Sequence, residues 1–141
     1  MLLPDVNILV VAFREESADY RPMKEWLTRL VNGPSAFSVP DLVCSGFLRI
    51  VTNPAIYRTP TPADEAFAFI EDIRAQPGFI AVNPGERHWE IFVDLCRKTH
   101  ARGNRIPDAY YAALAIESGN EWITMDRGFS RFPGLRWRRP F

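Results

Sequence analysis

Three observations predict an α/β fold with a short central parallel sheet and helices on both faces. Short apolar runs alternate with longer stretches whose apolar residues recur at three- and four-residue steps. Pro and Gly mark most of the boundaries between them. The chain has 141 residues, 47% of them apolar, enough for one sizeable core. No repeat, low-complexity tract or linker divides it, so residues 1–141 read as a single domain.

The first strand lies within Leu2–Val11 and runs directly into a helix. Pro4 cannot donate a ladder hydrogen bond, so it belongs at that strand's end or at a bulge. A helix follows Asp19-Tyr20, with Met23, Trp26, Leu27 and Leu30 on one face, and Asn32-Gly33-Pro34 ends it. Ala36–Val39 reads as a short strand. Pro40 opens a helix through Val51 that stops before Asn53-Pro54. Thr61-Pro62 starts the next, with Pro at its first position. Phe79–Val82 reads as a buried strand, and a helix bearing Trp89, Phe92, Val93 and Cys96 comes after it. Pro107-Asp108 begins a helix over Ala109–Glu117, closed by Gly119. Glu121–Thr124 and Leu135–Trp137 read as the last two strands.

Charge and targeting signals narrow the function. Lys+Arg and Asp+Glu are both 17, which excludes a polycation that binds nucleic acid through bulk charge. Aromatics at 13% and charged residues at 24% exclude a disordered chain. The apolar run Ile8–Phe13 is far short of the roughly 20 residues of a membrane span. With Asp5 just before it, no secretory signal is read either, and a cytoplasmic protein is expected. Cys44 and Cys96 are expected as reduced, buried thiols. His88 and His100 lack metal-ligand spacing and there is no Cys-x-x-Cys, so structural zinc is excluded.

Ligands of such sheets bind beyond the carboxyl ends of the strands. Asp5 follows the first strand, Asp126 follows the Trp122–Thr124 strand, and Asp108 sits in the first turn of a helix. Each has a structural alternative: a helix cap, a dipole-favoured acid or a turn starter. Together they suggest an acidic pocket. Clustered carboxylates are tolerable only if partly protonated or holding a cation. Oxygen-only ligands favour Mg²⁺ or Mn²⁺, ions that bind phosphate and activate water.

Asp5-Val6-Asn7-Ile8-Leu9, Phe47–Pro54, Arg102-Gly103-Asn104 with Pro107-Asp108-Ala109, and Thr124–Phe129 together resemble a PIN-domain ribonuclease. The tail Arg131–Trp137 is similar to that of the VapC toxins of bacterial type II toxin–antitoxin operons. The resemblance spans residues 2 to about 140. It implies a metal-dependent endoribonuclease acting on tRNA or rRNA, inhibited by a VapB-like antitoxin, and dimeric. By the same resemblance Asp5 and Asp108 ligate Mg²⁺, Asp126 completes the catalytic pocket, and Asn7 and Thr124 orient a carboxylate or a metal-bound water.

Two positions depart from the family pattern. Gly46 stands where a Glu is common, and Gly128 where an Asp is common. Asp41, the nearest upstream acid, lies about 140° round a helix from position 46 and reads as a first-turn acid. Arg14, Arg49, Arg102, Arg105 and Arg127 are expected near the pocket as phosphate contacts or as solvated charge, Arg102 and Arg105 first among them. Tyr20, Tyr57, Tyr110, Tyr111 and Trp89 are candidates for base stacking or for core and dimer contacts. Arg136, Arg138 and Arg139 suit RNA or antitoxin equally. The competing readings are a PIN fold that binds RNA or antitoxin without efficient cleavage, and a phosphatase- or receiver-like domain using Asp5. The latter lacks an acid at position 7.

Overall fold

The computed structural model describes residues 1–141. The secondary structure runs β1 (Leu2–Pro4), α1 (Val6–Phe13), α2 (Tyr20–Val31), α3 (Asp41–Val51), α4 (Ala63–Arg74), α5 (His88–Thr99), α6 (Arg105–Ser118), β2 (Glu121–Ile123), a 3₁₀ turn (Arg127–Arg131) and β3 (Trp137–Arg138). β1 pairs in parallel with β2, and β2 with β3. Pro4 closes β1, where its missing N–H costs nothing, and Asp5 N takes over the ladder by donating to Ile123 O at 2.8 Å.

The strands expected at 36–39 and 79–82 contract to single bridges. Phe37 bridges Leu2 and Phe79 bridges Phe37, both in parallel. Only a few backbone bonds form there, such as Ser38 N to Leu2 O at 3.1 Å and Ile80 N to Phe37 O at 2.9 Å. The last strand falls two residues later than expected, at Trp137–Arg138. The rows across the sheet are therefore Phe79, Phe37, β1, β2, β3. The chain works outward from β1 on one side, then returns to build the other side. The order reverses between β1 and β2, which is the switch point where open parallel sheets bind ligands.

The helices form around this short sheet by their apolar faces. α1 packs on α2 and α3, α3 on α4, α5 on α6, and α6 on β2. One continuous core joins them, with Trp122, Phe37, Phe47 and Phe129 its largest fully buried side chains. α6 begins at Arg105, two residues before the expected Pro107, because Pro in a helix's first turn forfeits no hydrogen bond. It closes at Gly119, whose φ of 68° is the left-handed conformation glycine adopts freely. No helix is long and apolar enough to cross a membrane. Both cysteines are free thiols, but only Cys44 is buried; Cys96 is half-buried at the edge of the core.

Candidate active site

Asp5 is the N-cap of α1 and the first residue after β1. Its Oδ1 accepts from Val6 N at 2.6 Å, and its Oδ2 from Thr124 Oγ1 at 2.6 Å and Asn7 Nδ2 at 2.8 Å. Thr124 ends the β2 run one row across the sheet. Its hydroxyl also accepts from Asn7 Nδ2 and Asp126 N, both at 3.0 Å, while Asn7 Oδ1 accepts from Met125 N at 3.2 Å. Asn7 and Thr124 thus lock the Asp5 carboxylate to the turn that carries Asp126. Asp5 is only 6% exposed. Burial pushes its pKa up to about 6 against the pull of the Thr124 and Val6 hydrogen bonds, and the charges of Asp108 and Asp126 raise it further.

Asp108 reaches the same place from the first turn of α6. Burial raises its pKa as well, Arg105 opposes the rise, and Asp126 adds to it. Asp126 starts the 3₁₀ turn, with Oδ1 accepting from Gly128 N at 2.7 Å. The three acids line one open cleft of about 450 Å³ together with Asn7, Val10, Arg49, Asn104 and Tyr111. A larger groove of about 640 Å³ beside α5 is also lined by three acids, but each is engaged: Glu117 by Gly85 N and Arg87 N, Glu90 by Arg87 and Asp94 by Lys98.

The donor set suits a hard divalent ion in chemistry. Each acid supplies only oxygen, and a nearby cation would oppose both the burial that chiefly raises Asp5 and Asp108 and the lesser repulsion among the acids. No three such side chains converge on one point.

The structure sorts the cations. Arg49 is exposed, lines the cleft and carries no ion pair. Arg105 spans Asp108 and Asp126. Arg102 and Arg127 are exposed and line none of the cleft wall. Arg14 does not belong near the pocket. α1 is eight residues long, so it carries Arg14, nine residues on, about 13 Å from Asp5. There Arg14 binds Glu16, Thr59 O and Thr61 Oγ1 and lies 3.9 Å over the Tyr57 ring, pinning the Thr59–Thr61 loop. Asp41 is exposed and paired with Arg74 at 2.6 Å, a structural role.

Of the aromatic candidates only Tyr111 is buried; Tyr20, Tyr57 and Tyr110 are half-buried and Trp89 is exposed. Tyr111 stacks on Trp122 at 5.2 Å between centroids, and Tyr110 packs edge-on against His88 and Phe92. Burial and the nearby Asp5 and Asp108 charges push the Tyr111 hydroxyl up to about 12, so it stays protonated as a wall of the cleft. Arg131 is a cation that motif reading missed. Its side chain turns back onto Gly128 O at 2.6 Å, and its charge is felt at Asp108. Only the 3₁₀ turn brings it there, and nothing in the local sequence signals that.

Gly46 does line the cleft, yet the space of a side chain is filled. An added Cβ would sit 2.8 Å from Val6 Cγ2 and 3.4 Å from the Tyr111 hydroxyl.

Known proteins share both this sequence and this shape. The PIN domain family matches residues 2–135. The chain is 43% identical to the VapC ribonuclease Mb2897 of Mycobacterium bovis, over 99% of this chain and 95% of that one. It is 41% identical to ribonuclease VapC31 of Mycobacterium tuberculosis, over 99% of both. Among solved structures it resembles VapBC2 from Rickettsia felis bound to a promoter DNA fragment, with TM-score 0.70 and 15% identity over 98% of this chain and 97% of that one. It also resembles Mycobacterium tuberculosis VapC20, a sarcin–ricin loop cleaving toxin, with TM-score 0.68 and 16% identity over 96% and 99%. The chain belongs to the PIN-domain family and, within it, to the VapC ribonucleases, the toxins of VapBC toxin–antitoxin systems.

Proposed function

We propose that this ribonuclease is an endonuclease for RNA of the tRNA or rRNA class, dependent on Mg²⁺, with Mn²⁺ able to substitute. The observation that carries this reading is the clamped, buried Asp5 carboxylate facing Asp108 and Asp126 across a cleft at the sheet's switch point.

Asp5 and Asp108 would hold the ion, and Asn7 and Thr124 fix the Asp5 oxygens so that binding costs little reorganisation. When bound, such an ion polarises the phosphate and supplies an acidified water at neutral pH. Asp126 keeps Oδ1 on Gly128 N and turns Oδ2 toward the Arg105 guanidinium. Val10 and Tyr111 wall the cleft with apolar surface and one fixed hydroxyl. Arg49 is the unpaired cation best set to meet a backbone phosphate. The same reading includes a VapB-like antitoxin as partner and a homodimer, supported by the exposed apolar side chains of Leu42, Phe67, Ile80 and Trp89.

One observation favours a second reading, an RNA- or antitoxin-binding PIN fold with weak turnover: no three acids converge on a point. Purified protein incubated with total tRNA and rRNA separates the two. Cleavage that requires Mg²⁺ or Mn²⁺, stops with chelator and is lost in Asp108→Asn supports the nuclease. RNA binding without cleavage under any ion supports the second reading. Cleavage undiminished by chelator overturns the metal requirement.

A further inference from the structure

Arg105 is one of the two cations first expected to meet RNA phosphates, yet its guanidinium faces inward. Nη1 lies 3.4 Å from Asp108 Oδ2 and 3.8 Å from Asp126 Oδ2, so a single positive group spans two acids of the cleft. Gly128 makes the room. A Cβ at 128 would lie 2.6 Å from that same Arg105 nitrogen, 2.8 Å from Asp126 Oδ1 and 3.2 Å from Arg131 Nη2. The backbone at 128 does not require glycine, since the positive-φ glycines are 103, 119 and 134. What glycine provides at 128 is space beside the guanidinium.

Arg105 is in the first turn of α6 and its side chain is 39% exposed, so it is free to swing outward. A divalent ion bound among the carboxylates repels a guanidinium seated on the same oxygens. We propose that Arg105 is the resident counter-cation of the Asp108–Asp126 pair, seated by Gly128, and that a divalent ion must displace it to bind. The proposal rests on the metal-dependent reading above and adds a positioning residue that sets the cleft's ion affinity.

Mn²⁺ titration by calorimetry, with no RNA present, tests it on wild type, Arg105→Gln, Gly128→Ala and the double variant. Removing one competing positive charge is expected to tighten Mn²⁺ binding about five- to tenfold in Arg105→Gln. Gly128→Ala, by unseating the same side chain, shifts affinity in the same direction. The double variant binds no more tightly than Arg105→Gln, because both changes act on one group. If Gly128→Ala does not fold, Arg105→Gln alone decides. Wild-type binding that Asp5→Asn abolishes but Arg105→Gln leaves unchanged or weakens overturns the role of Arg105 and spares the metal reading. Additive tightening in the double variant overturns the part given to Gly128. No Mn²⁺ bound by wild type or any variant overturns the metal reading and the counter-cation role with it.

Discussion

The Thr124 hydroxyl donates to Asp5 Oδ2 at 2.6 Å and thereby ties the carboxyl ends of two adjacent parallel strands across 119 residues of chain. That hydroxyl also accepts from Asn7 and from Asp126 N. One buried oxygen therefore serves three partners.

Thr124→Val is expected to deprive Asn7 Nδ2 and Asp126 N of an acceptor and to leave the buried Asp5 carboxylate with two of its three hydrogen bonds. The loss should be about 2–3 kcal/mol of stability, above the usual value of one hydrogen bond because buried groups are left unpaired. Asp5, deprived of a bond that lowers its pKa, should titrate higher. Thr124→Ser should restore both. Denaturant melts and carboxyl NMR titration measure the two effects, and a Val variant as stable as wild type would show that the network is dispensable.

Stability should depend on pH in the direction opposite to that of a salt-bridged acid. Asp5 has a folded pKa of about 6 against roughly 3.9 unfolded. The folded state thus holds the proton more tightly. Stability from this group is highest below about pH 4 and falls as pH rises to about 6, by roughly 3 kcal/mol at 1.36 per unit. Asp108 acts in the same direction. Asp108→Asn removes one raised acid and part of the push on the other, so its stability relative to wild type should climb between pH 4 and 7 in chelator. A difference that stays flat across that range would contradict the repulsion argument. Asp5→Ala should behave otherwise, losing about 1 kcal/mol or more because it removes a helix cap along with a charge.

Gly46→Ala should destabilise by about 1–3 kcal/mol, the usual cost of overpacking. The Cβ meets Val6 Cγ2 at 2.8 Å, and a β-branched neighbour on a helix has little rotamer freedom to yield. Pairing it with Val6→Ala should recover most of the loss, as thermal melts of the two variants and the double will record. A Glu at 46 therefore needs Val6 cut back before it can add a carboxylate to the cleft.

The arginines should separate by salt dependence. Arg49→Gln is expected to flatten the log–log salt slope of single-strand RNA binding by about 0.7 per lost contact, and Arg102→Gln by less. Arg14→Ala should leave the slope alone while speeding amide exchange in the Thr59–Thr61 loop that it pins. Equal slopes for all three would return Arg49 to ordinary surface charge.

Most of the helices were legible because their apolar periodicity is strong and Pro or Gly marks their ends, as at Pro40 and Gly119. The strands were less so. Around Phe37 and Phe79 the apolar runs are only four residues long and hold single bridges, and the run read as buried at 79–82 leaves Ile80 and Ala81 exposed. Asp5, Asp108 and Asp126 were findable because each stands at a strand end or a helix start, and the fold brings them into one cleft. The side-chain partners were not. Nearness in sequence put Arg14 by Asp5, whereas the length of α1 carries it away. Arg131 comes close only through a turn, and Arg105 turns inward into space that a side chain at residue 128 would crowd.

Ala109, Ala112, Ala113 and Ala115 of α6 have no exposed surface, and the same helix bears Asp108 in its first turn. α6 packs on α5 and β2, and side chains this small let the helix that carries Asp108 lie close on its neighbours. A single added methylene along this seam would act as a shim, tilting a carboxylate several residues away without touching it. A change in the proposed ion site's preference is better sought by altering that packing than by exchanging the acids themselves.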